Sequence, residues 1–378
     1  MDSSVTNVLI ITDLFPQNRN DLRGIFILDY IESIKNRFKI TVYSSRLISG
    51  KRGFLIEKNE EYLIYRYALT KQIKIKALKP LLYILWFYKS YSFLRNINDI
   101  DLVHAHGTIL SGTLGWLYSK SKKIPFLITE HQGPFSVISG NFFKLLWSRF
   151  ILHHADVVLT VSNHLKEEIL RAGIFPRKII VTYNPVDTSI FNLINRSVSI
   201  NSKFVFASRL DPFKGALRCL NAFKQLINKY SDWQFIIIGD GEEYKSISNI
   251  LSTDRELNDR IILKGFLKKE EIANIYKCSD FFILPSLHES FGLVITEAMA
   301  CGLPVIAPNV TAPPEYVNID SGLLINPMNT DEISHAIEYM ILHNQEFDRE
   351  KISQTITNKF SIDEFGQKLQ RIYSSLLD

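Results

Sequence analysis

Residues 282–308 read FILPSLHESFGLVITEAMACGLPVIAP, and this stretch decides the fold. The apolar run at 281–284 is short and stops at Pro285-Ser286, which marks a buried strand ending in a turn. Glu289 follows in a short loop. Phe291-Gly292-Leu293 opens an apolar helix carrying Glu297 on its second turn. Gly302-Leu303-Pro304 closes that helix before a second apolar strand at 304–307. Seven residues separate the two glutamates. A helix N-terminus presents unpaired N–H groups and partial positive charge, which suits an anion, and Gly292 lets backbone amides approach it closely.

The same alternation runs through the whole chain. Apolar runs at 8–12, 40–44, 102–106, 126–129, 157–161 and 179–183 read as strands separated by helical patterns. After a polar, Asn/Ser-rich stretch the pattern restarts at 204–207, 234–239, 261–265, 281–284 and 304–307. Alternation of this kind implies parallel strands covered on both faces by helices. The 378 residues suffice for two such domains. The expectation is an α/β protein of two doubly wound, Rossmann-like domains facing each other across a cleft. Their expected bounds are 1–190 and 203–357, joined by a linker at 191–202. The final segment, 362–377, is amphipathic, with Phe365, Leu369, Ile372 and Leu376 at helical spacing.

The PSLHESFGLVITEAMACGLPVIA segment resembles the E-x7-E signature of retaining glycosyltransferases of GT-B architecture, most closely glycosyltransferase family 4 (glycosyl transferases group 1). Ala207–Gly215 contains Arg209-Leu210-Asp211 and Lys214-Gly215, similar to the family's RLdxxKG motif. The resemblance implies that Arg209 and Lys214 neutralise the pyrophosphate of a nucleotide-sugar donor and its leaving diphosphate. Positive charge placed where negative charge develops is often the largest catalytic term. By the same resemblance Glu289 accepts hydrogen bonds from sugar hydroxyls and Glu297 reaches a ribose diol. Ser290, Phe291, Gly292 and Leu293 belong to the donor site, as do Gly239 of a Gly-Asp-Gly loop and Gly265-Phe266-Leu267 beside the nucleobase. Gly239 also reads as a tight turn. Gly24 is the one glycine available for a phosphate loop at the first helix. Thr129-Glu130-His131 resembles the family's T-x-H segment, whose histidine touches the donor sugar, and His106 ends a strand beside it as an acceptor-side candidate. Thr311-Ala312-Pro313-Pro314-Glu315 stands where relatives have Gly-Gly-x-x-Glu, and the glycines are missing. A C-terminal helix from about residue 358 is expected to return to the first domain, as in the family.

No Asp-x-Asp ends a strand in the manner of metal-dependent GT-A enzymes, so no metal and no cofactor are expected; the donor itself is a UDP- or GDP-sugar. No carboxylate is an obvious nucleophile for double displacement. The family is usually described as using front-face attack, with the leaving phosphate taking the acceptor proton. The expected reaction is transfer of a sugar, with retention, to a glycan or polyprenyl-linked acceptor in cell-surface polysaccharide assembly. Two alternatives are a catalytically silent nucleotide-sugar- or partner-binding subunit and a nucleotide-sugar 2-epimerase of the same fold. The complete set of Arg209, Lys214, Glu289 and Glu297 favours the transferase.

Charge is uneven. Residues 1–190 hold 25 Lys/Arg against 15 Asp/Glu, and the remainder 19 against 24. A basic first half implies an anionic partner. No acidic residue lies between Glu61 and Asp99, while Lys71, Lys74, Lys76, Lys79, Lys89 and Arg95 are interleaved with Trp86, Phe87 and tyrosines. Such a composition suits a helix on an anionic membrane surface, or else a core-facing helix with a solvated basic loop; no nucleic-acid module accompanies it. The first residues lack a basic n-region and the run 8–11 is too short for a signal peptide, so the expected location is cytoplasmic, at the inner face of the plasma membrane. Cys219, Cys278 and Cys301 show no metal or disulfide spacing and read as buried thiols.

Overall fold

The computed structural model describes residues 5–13, 15–16, 24–49, 53–58, 62–69, 79–133, 135, 140–193 and 202–378. Lys71, Lys74 and Lys76 of the basic segment lie outside them. The chain divides into two compact units, Met1–Pro185 with Ile362–Asp378, and Val186–Ser361.

The first unit holds strands β1 (Asn7–Thr12), β2 (Lys39–Ser49), β3 (Gly53–Lys58), β4 (Tyr62–Leu69), β5 (Leu102–His106), β6 (Phe126–Glu130), β7 (Val157–Thr160) and β8 (Ile179–Val181). They form one sheet in the order β3-β4-β2-β1-β5-β6-β7-β8. Every residue of β1, β5, β6 and β7 is buried, which is why those strands read as continuous apolar runs. The edge departs from the parallel expectation, because β3 pairs antiparallel with β4. An antiparallel edge need bury only one face, so GFLIEK and YLIYRYAL mix charge with apolar residues and pass under a search for apolar runs. Buried polar groups cluster where β5 and β6 end: His104, His106, Thr129 and Glu130 are all inside.

The C-terminal helix Ile362–Leu377 belongs to this unit and packs on the helix Ile25–Ile34. Phe365 stacks edge-on to Tyr30 with centroids 4.7 Å apart, and Tyr373 does the same to Phe38 at 5.2 Å. Gly366 makes the approach possible, since a Cβ there would collide with the Ser33 carbonyl oxygen. Phe365, Leu369 and Ile372 are buried as their spacing requires, and Leu376 is partly buried.

The second unit holds β9 (Lys203–Ala207), β10 (Gln234–Ile238), β11 (Ile261–Gly265), β12 (Phe281–Ile283), β13 (Val305–Pro308) and β14 (Gly322–Ile325), ordered β11-β10-β9-β12-β13-β14. All five pairings are parallel. This is the doubly wound order, and the strand order reverses between β9 and β12, where such sheets bind ligands. The unit begins at Val186 and ends at Ser361, where the sequence placed its limits at 203 and 357. The reason is local packing hidden in a polar stretch. Val186 donates its N–H to the Phe360 carbonyl at 2.7 Å, and Phe191, fully buried, lies 6.0 Å from the Tyr276 ring.

Two further expectations need correction. Cys278 is exposed at the end of the helix Lys269–Lys277, whereas Cys219 and Cys301 are buried. Trp86 is only 1 % exposed, so it belongs to the core of the first unit and not to a surface aromatic face. Ile84, Leu85 and Tyr88 of the same helix, Lys79–Leu94, are exposed instead. Among the described residues no helix is long and apolar enough to cross a membrane.

Candidate functional site

In the second unit the loops after β9, β10, β11 and β12 are knitted together by backbone hydrogen bonds. Leu210 N–H donates to Asp240, Glu243 N–H to Leu210, Gly239 N–H to Gly265 and Leu287 N–H to Phe213, all at 2.8–2.9 Å. The glycines of the Gly239-Asp240-Gly241 loop serve this closeness. Gly239 has φ 138° and a Cβ on it would strike the Ser208 carbonyl; Gly241 has φ 153° and meets the Leu210 backbone at 2.8 Å. Their local requirement is thus packing against the loop that carries Arg209.

Lys214 and Glu289 meet at the switch point. Lys214 Nζ donates to Glu289 Oε1 at 2.6 Å, with the two side chains only 15 % and 9 % exposed. Arg209, by contrast, is 58 % exposed and pairs with Asp211 at 2.8 Å. Both cations flank the Phe213 ring, at 6.0 Å for Arg209 and 5.5 Å for Lys214. Arg218, which the sequence reading passed over, ties this loop to the end of β12: its guanidinium donates to the carbonyls of Pro212 and Pro285 at 2.9 and 2.8 Å. No motif signals it, because its partners are backbone atoms, which carry no residue type. Glu243 was also missed. Its buried carboxylate accepts the Leu217 N–H, in the first turn of the helix Ala216–Lys224; burial raises its pKa, and Leu217 and Arg218 oppose that rise.

The helix Leu293–Ala300 starts at Gly292, whose φ of 89° is open to glycine at little cost. Tyr316 covers this end, donating its hydroxyl to the Phe291 carbonyl at 2.5 Å. Phe291 itself is core: it is 2 % exposed and packs on Tyr316 and Phe360 at 5.5 Å each. Any ligand role for it therefore runs through its backbone. Glu297 is buried on the same helix, and its charge contributes to the raised pKa values of Tyr276 and Cys301 behind the effect of burial. Ser290 and Leu293 flank Gly292. Gly265 has φ 67°, with Phe266 exposed and Leu267 half-buried beyond it.

The missing glycine loop has a physical substitute. Thr311 adopts φ 64°, the left-handed conformation a glycine would take freely, and its Oγ1 accepts the Glu289 N–H at 3.0 Å. A non-glycine residue held there stores local strain, which clusters at functional sites.

In the first unit the ends of β5 and β6 bring three histidines into one stack. The ring centroids of His104 and His106 are 4.5 Å apart, and those of His106 and His131 are 5.1 Å apart. His106 Nδ1 and His131 Nε2 share a hydrogen bond of 2.8 Å. His104 bridges Tyr373 at 2.5 Å and Thr129 at 2.7 Å, and Thr129 also meets Tyr30 at 3.1 Å. Burial drives the imidazoles towards neutrality, with His104 and His131 both lowered to about 3 and His106 well below its usual value. Glu130, between Thr129 and His131, organises the turn. Its carboxylate accepts from the N–H groups of Thr108, His131 and Gln132 and from the Thr108 hydroxyl. Burial still raises its pKa against those four donors. Gly24, with φ 80°, starts the helix Ile25–Ile34, whose Phe26 ring lies 4.6 Å from His131.

Comparison with known proteins matches this arrangement to a family. The family model described as Glycosyl transferases group 1 fits residues 195–359, and the one described as Glycosyltransferase Family 4 fits residues 35–190. The chain belongs to glycosyltransferase family 4. An uncharacterized glycosyltransferase of Methanocaldococcus jannaschii is 28% identical to this family-4 protein over 80% of the chain and 84% of the relative. The UDP-Gal:alpha-D-GlcNAc-diphosphoundecaprenol alpha-1,3-galactosyltransferase of Escherichia coli is 30% identical, over 63% of the chain and 65% of the relative. Sucrose-phosphate synthase from Thermosynechococcus elongatus superposes with a TM-score of 0.81 at 19% identity, covering 98% of the chain and 99% of that structure. The fold of this family-4 glycosyltransferase is GT-B.

Proposed function

We propose that this glycosyltransferase moves a sugar, with retention and without a metal, from a UDP- or GDP-sugar to a glycan or polyprenyl-diphosphate-linked acceptor in cell-surface polysaccharide assembly. The observation that carries this reading is the Lys214–Glu289 pair, 2.6 Å apart and nearly enclosed at the strand-order reversal of the second unit. Two charges are withdrawn from water there beside the start of the helix Leu293–Ala300, an arrangement costly for a fold alone and suited to a sugar diphosphate. On this reading Lys214 and Arg209 hold the diphosphate, Glu289 positions the sugar, Glu297 takes the ribose and His131 contributes to sugar recognition. Backbone atoms around Gly292 and Gly265 complete the donor contacts. The lipid-linked acceptor is supported by the E. coli relative, whose name specifies one.

Peripheral attachment to an anionic membrane is part of the proposal. The helices Lys79–Leu94, Leu110–Lys122 and Phe142–His154 contain no acidic residue. Phe142, Phe143 and Trp147 are exposed on the last of them. Gln at Lys79, Lys89 and Lys144 should reduce binding to vesicles containing phosphatidylglycerol at low salt; undiminished binding would remove the membrane from the proposal.

The testing experiment is thermal unfolding with millimolar UDP, GDP and ADP, each with and without EDTA. A ligand at about 100 times its Kd adds roughly 2.7 kcal/mol, a visible shift in midpoint. Stabilisation by UDP or GDP, unchanged by EDTA, is expected. An EDTA-sensitive shift would overturn metal independence, and no shift with any nucleotide would overturn the donor assignment.

A further inference from the structure

Lys214 and Glu289 stand on two loops, 75 residues apart in sequence, yet their charged atoms lie 2.6 Å from each other. A functional pair of this kind works only when its supports hold it to within about 0.5 Å. One backbone bond joins the loops directly: the carbonyl of Phe213, the residue before Lys214, accepts the Leu287 N–H at 2.8 Å. A single hydrogen bond between two loops is a hinge and leaves rotation about it free.

Arg218 closes that hinge. It lies in the first turn of the helix Ala216–Lys224, and its side chain reaches back over the loop before it. Nη1 donates to the Pro212 carbonyl at 2.9 Å; Nη2 donates to the Pro285 carbonyl at 2.8 Å, with a longer contact to the Phe213 carbonyl at 3.4 Å. Pro212 and Phe213 immediately precede Lys214, and Pro285 follows β12 on the way to Glu289. A guanidinium is a planar fork, so bonds from both terminal nitrogens fix the direction of the two loops as well as their separation. An ammonium, whose donors rotate, fixes separation alone.

The neighbouring residues are fitted to this contact. Gly215 has φ 91°, and a Cβ on it would stand 2.7 Å from both Arg218 Nη2 and the Pro285 oxygen. The glycine that follows Lys214 thus makes room for the fork. Glu243 supplies the counter-charge, since the Arg218 charge and the Leu217 N–H both favour its ionised form. With its terminal nitrogens turned to carbonyls, Arg218 is a support, unlike the exposed Arg209.

We propose that Arg218 is a positioning residue: its guanidinium fork fastens the Lys214 loop to the end of β12 and so sets the Lys214–Glu289 geometry on which donor turnover depends. The turnover half of this statement rests on the proposed function; the geometry half does not.

The experiment uses the full chain. Arg218→Met keeps the aliphatic stem without donors, and Arg218→Lys keeps the charge without the fork. Urea unfolding of the second unit, read at 5-fluorotryptophan in place of Trp233, gives the coupling between Lys214 and Glu289 from Lys214→Met, Glu289→Gln and their double variant. Repeated in each Arg218 background, the cycle should return less than half of the wild-type coupling. A residue that only adds stability lowers all four proteins of a cycle equally, so an unchanged coupling in either background overturns the proposal. In release of nucleoside diphosphate from UDP-glucose, UDP-galactose and GDP-mannose, both variants should lower kcat on the accepted donor by about 10- to 100-fold, the scale of a 1 Å misplacement. KM should change less, because charge on the leaving diphosphate develops in the transition state. Wild-type kcat in Arg218→Lys, or a loss confined to KM, overturns the proposal. Should Arg218→Met fail to fold, Arg218→Lys carries both readouts. Should wild type turn over none of these donors, the proposed function fails separately, and the coupling still decides the role of Arg218.

Discussion

Removing the charge of Lys214 tests the central pair of the second unit. In Lys214→Met the Glu289 carboxylate keeps its burial and loses the ammonium 2.6 Å away. Breaking a buried pair from one side costs 3–5 kcal/mol because a charge is left uncompensated. The side chains here are 15 % and 9 % exposed, so some water reaches them and the lower end applies; we expect about 3 kcal/mol at pH 8. The neutral double variant Lys214→Met/Glu289→Gln removes both charges and should recover most of that loss, giving a coupling of about 2 kcal/mol. Trp233 is the sole tryptophan of residues 186–361. Its 5-fluorotryptophan resonance therefore follows urea unfolding of the second unit separately from the first. Additive single-variant effects, with Lys214→Met within about 0.5 kcal/mol of wild type, would refute the reasoning, because the two groups would then be solvated separately and the pair would hold no unpaid desolvation.

Glu289→Gln should lower donor turnover at least about 100-fold while costing no more than about 2 kcal/mol of stability; near-normal turnover with authentic acceptor would remove Glu289 from the site. The histidine stack predicts a pH dependence with a definite sign. His131 titrates near 6.5 when unfolded and is lowered to about 3 in the fold, so the unfolded chain binds the extra proton and stability falls as pH drops below 6.5. Between pH 8 and 5 that loss is about 2 kcal/mol for such a histidine. Urea unfolding of His131→Asn should lack it, while the raised Glu130 carboxyl, which acts with the opposite sign, is common to both proteins; parallel pH profiles would contradict the assignment. Gly366→Ala should destabilise the first unit by about 2–3 kcal/mol, because the added Cβ meets the Ser33 carbonyl, and a neutral result in thermal unfolding would mean that the two helices separate freely.

Legibility of the site followed the kind of interaction involved. Glu289 and Lys214 could be singled out in sequence because a strand–loop–helix motif fixes residue type at each position, and both sit at the strand-order reversal. Arg218 and Glu243 could not, since each acts on backbone atoms that any residue would supply. The glycines of the Gly-Gly-x-x-Glu comparison are missing, yet Thr311 adopts a left-handed conformation, φ 64°, that a glycine takes freely. Conformation of that kind is set by the packing around a residue and not by its own preference.

The sequence by itself determined the two doubly wound domains. Parallel strands buried on both faces leave continuous apolar runs, and the turns between them need glycine and proline at readable places. Only the tertiary structure decided that β3 and β4 form an antiparallel edge, that Phe191 belongs to the second unit, and that His104, His106 and His131 form one neutral stack. The last two outcomes depend on which buried groups meet across 25 or more residues of chain. A histidine's role is fixed by its neighbours' protons, and no local pattern records them.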